Sequence, residues 1–460
     1  MSLGTVSSAT TRTAKIKIFD TGIRQGAYLE LKHPHGPVLA QITHLTRTAD
    51  SEIAEASLLG HSDGRGGSFR VETPPDIDAE ISYAPIMLIR DVLGIAARSK
   101  TGLYMGLLYK HNLKVWIDYR PLLTQHVAVI AKTGGGKSYT VGVMCEEIVK
   151  RGMPIIVIDP HGEYIQTVYQ NDNPKDIARM KRFGVLPRGY VDYIREFAPD
   201  TTVNPSASPL RFDETNLDVD DIISLTTIGD SEAQKNILER AMYMVKRMYR
   251  EPTIDRICDY VARERSPAKY RLIREVQRIK TLDIFQDIPT KLRHIVGTGM
   301  TIINLKGAPE EVQHFCVAKI AKRVFEEAKV GRVPPCFFVI EEAHNFIPEN
   351  SKTIASKPLY AIASEGRKFG VGLCVVSQRT ARVSKSVLAQ CGTHFIHKLT
   401  NSEDIQAVVE SLEGFTASMA EDIQRLPIGV AVVSTIGLPH PVTIEIRPRE
   451  SKHGGGQKIT

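Results

Sequence analysis

The stretch HVAVIAKTGGGKSYT, residues 126–140, decides the fold. The buried-strand pattern HVAVI (126–130) runs into AKTGGGKS, and a helical pattern, YTVGVMCEEIVK, follows from Tyr139. Strand, glycine-rich turn and helix, in that order, are the context a phosphate-binding loop requires. The glycines let backbone N–H groups turn inward around phosphate oxygens, and the helix N-terminus adds partial positive charge. Lys137 is placed to reach the outer phosphates and Ser138 to ligate Mg2+. The nucleotide-binding set is then Thr133, Gly134, Gly135, Gly136, Lys137, Ser138 and Tyr139, with ATP as the expected nucleotide. The strict pattern wants glycine at position 131, where this chain has Ala131. An ordinary glycine-rich turn would read the same in isolation, so the surrounding strands have to decide.

Working outward, CFFVIEEAH (336–344) ends an apolar strand on two acids. Glu341 then sits at the strand tip beside the metal, and Glu342 points toward the place from which a water attacks the γ-phosphate. Strict patterns have Asp first, so Glu341 is a departure; a solvated strand end is the plainer reading of such a pair. IDPHGEY places Asp159 at the tip of the strand beside the phosphate-loop strand, either holding the metal's water shell, orienting the attacking water, or capping the next turn. LCVVSQR ends a third strand on Gln378, an uncharged group able to sense the γ-phosphate, or a plain polar strand end.

The rest of the chain fits an α/β enzyme. At 460 residues it suggests two to four units at roughly 150 residues per domain. Its 42% apolar and 24% charged residues are a globular composition, and no apolar run approaches the ~20 residues of a membrane span. The six cysteines lie far apart, several in strand-like runs such as CFFVI and GLCVVS, which points to reduced, buried thiols in a cytoplasmic protein. The formal charge, 59 minus 52 or +7, permits a polyanionic partner without demonstrating one.

Short alternating segments such as AKIKIF, YLELK, VLAQIT and FRVET, broken by HPHGP and SDGRGG, predict a small β-barrel over 14–97 after a loose tail, 1–13. Single apolar strands alternating with helices then predict a parallel sheet over 98–165 and 298–448. Between them, 166–297 reads as a helical insertion. One of its helices starts at a capping box, Ser231 and Gln234, and has Ile237, Leu238, Ala241, Val245 and Met248 on its apolar face. A second carries Leu272, Ile273, Val276 and Ile279 on one side. PIGVAVVST and PVTIEIRP form a closing hairpin, and 449–460 is expected to be a disordered polar tail.

The ordered set AKTGGGKS, VIDPHGEY, VIEEAHNF, EGRKFG and VVSQR, with a helical insert after the second motif, resembles the HerA family within the HerA/FtsK group of DNA-translocating ATPases. The likeness takes in the barrel and the closing LPIGVAVVSTIGLPHPVTIEIRPR, from about residue 14 to 448. It implies a RecA-like P-loop ATPase core, a barrel cap of the kind that docks the NurA nuclease, and a homo-hexameric ring. Such a ring pumps duplex DNA during end resection in double-strand break repair. It also implies that Arg367, in EGRK, is an arginine finger reaching a neighbouring subunit's nucleotide. The bland reading of EGRK is a solvated basic helix end.

A ring motor grips phosphate without reading bases, which calls for Lys and Arg on pore-facing loops. The turn RTARVSKS offers Arg379, Arg382 and Lys385; a helix offers Lys269, Arg271, Arg274, Arg278 and Lys280, although charged helices are mostly just solvated. Two rivals stay open. One is a conjugation or secretion motor with the same core; the other is a nucleotide-locked ring scaffold that recruits an effector nuclease.

Overall fold

The structure is a computed structural model and describes residues 2–19, 22–47, 52–62, 68–95, 101–229, 231–249, 251–412 and 417–454. The chain divides into two compact units, Met1–Tyr119 with Val432–Glu445, and Arg120–Ala431 with Ile446–Thr460.

The first unit contains a seven-stranded sheet: β1 (Gly4–Ala9), β2 (Thr13–Ile18), β3 (Tyr28–Leu31), β4 (Val38–Arg47), β5 (Glu52–Ser62), β6 (Ser68–Phe69) and β7 (Glu80–Tyr83). They run β2-β1-β7-β3-β4-β5-β6, and the additional β2–β5 pairing closes the barrel. In β2, Ala14, Ile16 and Ile18 face inward while Thr13, Lys15 and Lys17 face out, the period-two pattern of a half-buried strand. The opening residues are not a loose tail: β1 pairs with both β2 and β7 and buries Val6 in the barrel core. A register shift between Val6 and Ser8 breaks its alternation, which hides the strand in the sequence. Residues 102–118, expected in the core, form the antiparallel pair β8 (Gly102–Leu108) and β9 (Lys114–Asp118) and cluster with this unit.

The second unit is built on β10 (Val127–Ile130), β11 (Ile155–Asp159), β12 (Ile194–Ala198), β13 (Ser208–Pro209), β14 (Met300–Asn304), β15 (Cys336–Ile340), β16 (Val371–Ser377) and β17 (Thr393–Ile396). Their order is β13-β12-β14-β11-β15-β16-β10-β17. The described pairings are parallel, with Val127 opposite Cys374 and Ile155 opposite both Met300 and Phe337. Every residue of β10, β11, β14, β15, β16 and β17 is buried, as expected of strands covered on both faces. Each fully buried Val, Ile or Phe contributes ~1.5–3 kcal/mol, so the strand ends that carry the polar site are anchored firmly.

The segment 166–297 is not wholly helical. β12, IREFA, extends the core sheet beside β14. Its polar residues are partnered: buried Glu196 accepts from the Asn304 amide at 2.7 Å, and Arg195 donates to the Thr298 carbonyl at 2.7 Å at the surface. The helix Glu232–Met248 is capped by Ser231, which accepts the Gln234 N–H at 3.4 Å, and buries Ile237, Leu238, Ala241 and Val245. Met248, expected on that face, is exposed at the helix end. Two closing strands follow, β18 (Val430–Ser434) and β19 (Val442–Ile446), the latter beside β8. All six cysteines are buried and free. No helix among the described residues is long and apolar enough to cross a membrane.

Candidate nucleotide-hydrolysis site

β10 delivers Lys132–Gly136 to the sheet's C-terminal edge, and the helix Lys137–Val149 starts at once. Gly134 (φ 72) and Gly136 (φ 104) lie in the left-handed region, which L side chains rarely adopt. A Cβ on Gly134 would meet only open space, so glycine there is required by the backbone conformation and not by a close neighbour. Below the loop, Thr140 donates its hydroxyl to His397 Nε2 at 2.8 Å, and His397 Nδ1 donates to the Val430 carbonyl at 3.0 Å. A carbonyl only accepts, so the imidazole carries its proton on Nδ1. Burial depresses its pKa to about 4 and keeps it neutral.

Lys137 reaches across to the tip of β15, where its ammonium lies 2.7 Å from Glu342 Oε1 and 3.5 Å from Glu341 Oε2. Burial works against its charge, but Glu341 and then Glu342 outweigh that and hold its pKa above the ordinary lysine value. Glu341 is buried, which pushes its carboxyl pKa up against the pull of Lys137 and of the Tyr164 hydroxyl that hydrogen-bonds Oε1. Glu342 turns out of the strand at φ 48, ψ 47, a left-handed conformation that costs a non-glycine residue of order 1–3 kcal/mol and is concentrated at functional sites. That turn aims its carboxylate at Lys137. Its second oxygen, Oε2, is buried and has no hydrogen-bond partner among the described residues.

Gln378, just past β16, accepts the Thr133 hydroxyl at 2.6 Å, joining the phosphate loop to the strand-end amide. Tyr139 donates to Asp176 at 2.9 Å and accepts the Arg449 N–H at 2.8 Å, so it braces the helix from behind. Asp159 differs from expectation in place and in contacts. β15 and β16 separate its strand from β10, so it is not beside the phosphate-loop strand. Its Oδ1 accepts the His161 and Gly162 N–H groups at 3.3 and 2.9 Å, and its Oδ2 accepts that of Tyr164 at 2.9 Å. It therefore organises the PHGEY turn that puts Tyr164 against Glu341. Arg367 is exposed in the turn Gly366–Phe369, at the opposite end of β16 from Gln378.

Of the basic candidates, Arg379, Arg382 and Lys385 are exposed; Lys385 opens the short helix Lys385–Leu388 and pairs with Glu410 at 3.2 Å. The helix cations are largely engaged within the fold. Lys269 donates to the Ala262 and Glu264 carbonyls at 2.8 Å, Arg271 to Thr227 at 3.1 Å, Arg278 to Leu225 at 3.2 Å, and Lys280 pairs with Asp255 at 2.5 Å.

The least expected element is the C-terminal segment. Arg447, Arg449, Glu450 and Ser451 are buried against the phosphate-loop helix. Arg447 lies 3.0 Å from both Glu146 and Glu147, and the Glu450 and Ser451 N–H groups donate to Glu146 at 3.1 and 2.9 Å. Residues 449–454 are thus ordered; 455–460 lie outside the described residues. The charges cancel inside, so a stretch that reads as polar tail is interior. Arg447→Ala removes the fully buried cation shared by Glu146 and Glu147, leaving them only Arg449, Lys150 and Arg151, and should destabilise the protein by ~3 kcal/mol, the low end for breaking a buried pair. A denaturant midpoint that moves by less than ~1 kcal/mol would mean that the cluster behaves like an exposed pair.

A sequence profile described as the central domain of helicase HerA matches residues 103–324. The probable DNA double-strand break repair helicase HerA of Methanocaldococcus jannaschii is 26% identical over 94% of this chain and 93% of its own length. The DNA double-strand break repair helicase HerA of Sulfolobus acidocaldarius is 25% identical over 99% of this chain and 95% of its own. The plasmid coupling protein TrwB in complex with ADP and Mg2+ aligns with a TM-score of 0.52 at 11% identity, over 78% of this chain and 91% of that one, a likeness of fold. A parallel P-loop sheet, a lysine and two glutamates meeting at its edge, and a near full-length likeness to these relatives lead to one conclusion: the chain is similar to the HerA helicases, with residues 103–324 matching their central domain.

Proposed function

We propose that this chain is an ATP-driven motor that moves duplex DNA through a homo-hexameric ring and acts beside a NurA-like nuclease in end resection during double-strand break repair. The observation that carries the reading is the buried contact between Lys137 and Glu342 at 2.7 Å, which brings a phosphate-binding lysine and a carboxylate base into one water-poor site. The double-strand break repair helicases among the relatives support the DNA side of the reading. TrwB with bound ADP and Mg2+ supports the nucleotide and the metal.

The loop amides from Thr133 to Ser138 and the Lys137 ammonium bind the phosphates of ATP. Ser138 and Glu341 are the residues that would hold Mg2+, which neutralises charge on the β- and γ-phosphates when bound. The left-handed glycines of the loop and the unpartnered Glu342 Oε2 fit that ligand set. Glu342 accepts the proton of the attacking water, and Gln378, tied to Thr133, reports on the γ-phosphate. Arg367 serves the site of the next subunit. Asp159 acts by shaping the turn that places Tyr164 on Glu341 and not by touching water.

DNA meets the turn bearing Arg379, Arg382 and Lys385. Reversing two of these charges, Arg382→Glu with Lys385→Glu, is expected to remove the DNA-stimulated part of ATP turnover. It should also flatten the log–log salt dependence of duplex binding by ~1.8, at about 0.9 per lost phosphate contact. Unchanged stimulation and slope would exclude the turn as the DNA contact.

A further inference from the structure

His344 follows the paired glutamates by two residues and stands between the hydrolysis site and the basic turn. Its Nδ1 lies 3.4 Å from Glu342 Oε2 and 3.2 Å from Ser377 Oγ. Ser377 Oγ in turn accepts the Arg379 N–H at 3.0 Å, so three contacts lead from the carboxylate to the first residue of the turn. The backbone provides a second connection. The Glu349 N–H donates to the Arg382 carbonyl at 2.9 Å, the Ser384 N–H to the Ile347 carbonyl at 3.0 Å, and Pro348 and Val383 form an antiparallel bridge. Residues 347–349, just after His344, are thus paired to the turn.

We propose that His344 is a positioning residue that couples Glu342 to the Arg379–Lys385 turn, so that a polyanion seated on the turn changes how the carboxylate is held. The proposal rests on the reading of Glu342 as the base and of the turn as the DNA contact. One ring nitrogen carries at most one proton and faces two groups, Glu342 Oε2, which only accepts, and Ser377 Oγ, which can accept or donate. It satisfies only one of them well, and 3.4 Å is long for a hydrogen bond. In this conformation Oε2 is left without a partner, while the other oxygen of Glu342 pairs with Lys137. The charged groups that bear on the imidazole are Glu342, Arg379, Lys137 and Arg382, two of them from the turn itself. When phosphates draw Arg379 and Arg382 outward, the Arg379 N–H leaves Ser377 Oγ, the Ser377 hydroxyl reorients, and the Nδ1–H goes to Oε2. Glu342 is then fixed by its own histidine, and Lys137 is released toward phosphate.

The test is steady-state ATP hydrolysis, with and without linear duplex DNA, by full-length wild type, His344→Ala, His344→Asn and Ser377→Ala. His344→Ala is expected to lower kcat by at least about tenfold, to leave KM for ATP within about twofold, and to bring the ratio of DNA-stimulated to basal rates close to one. His344→Asn, whose amide N–H also points at Glu342, should recover part of kcat. Ser377→Ala should reduce the stimulation ratio by more than about threefold, because it cuts the link on the turn side. A His344→Ala enzyme with wild-type kcat, or with a wild-type stimulation ratio, overturns the proposal. If duplex DNA fails to stimulate the wild type, the DNA reading fails instead, and kcat with asparagine rescue still decides whether His344 positions Glu342. If His344→Ala does not fold, Ser377→Ala decides in its place: a wild-type stimulation ratio in that variant overturns the proposal, and a reduced one upholds it.

Discussion

Arg367→Ala is expected to lower ATP turnover by ~1,000-fold to 100,000-fold, the range typical of a lost arginine finger. Arg367 precedes β16, whose C-terminal end carries Gln378 beside the chain's own phosphate loop. The seven residues of Val371–Ser377, at ~3.3 Å each, separate the two by roughly 20 Å, more than an arginine side chain spans. Arg367 is therefore out of reach of the phosphate loop of its own chain, and the proposed finger role requires the nucleotide of a neighbouring subunit. Its base is fixed: His126 Nε2 donates to the Ala363 carbonyl at 2.9 Å and His126 Nδ1 accepts the Leu373 N–H at 2.9 Å, tying the helix Ser356–Glu365 to β16. Mixed rings make the geometry testable. Arg367→Ala subunits keep an intact phosphate loop and Lys137→Ala subunits keep the finger, so mixing two inactive proteins should restore turnover at shared sites. No recovery at any ratio would argue against the inter-subunit role.

Glu342→Gln is expected to lower turnover by ~100-fold to 10,000-fold, the usual contribution of a positioned general base. The isosteric amide keeps the left-handed turn but cannot take a proton from water. ATP binding should persist or tighten, because Lys137 loses the carboxylate now 2.7 Å away and no longer has to leave an ion pair to reach phosphate. Equilibrium titration with ATP beside a turnover assay separates the two effects. A variant that hydrolyses ATP at the wild-type rate would remove Glu342 from the role of base.

The grouping of the candidate site was legible where it depends on a few consecutive residues. A buried parallel strand is a continuous apolar run, and the chain changes character where the strand leaves the sheet. Hence Lys137, the Glu341 and Glu342 pair, and Gln378 all stand out at strand ends, and the structure brings them to one edge. Strand order was not legible, since crossovers of any length leave no local mark. Asp159 was therefore expected one strand from the phosphate loop and lies three strands away, with both oxygens taken by backbone amides. Tyr164 and His344 stood inside quoted motifs, but their value depends on distances to Glu341 and Glu342 that spacing does not carry. Burial by charge cancellation was invisible for a different reason. Arg447 at the end of the closing hairpin and Arg449 and Glu450 in the expected tail read as solvated charges and become interior only because Glu146 and Glu147 lie on the facing helix.

If the Lys137–Glu342 site spends ATP to move duplex DNA, the most direct test is the steady-state rate of ATP hydrolysis by the wild-type protein with and without linear duplex DNA at low salt. The prediction is strong stimulation that disappears with Arg382→Glu and Lys385→Glu; a rate that the duplex leaves unchanged would contradict the motor and favour a nucleotide-locked scaffold.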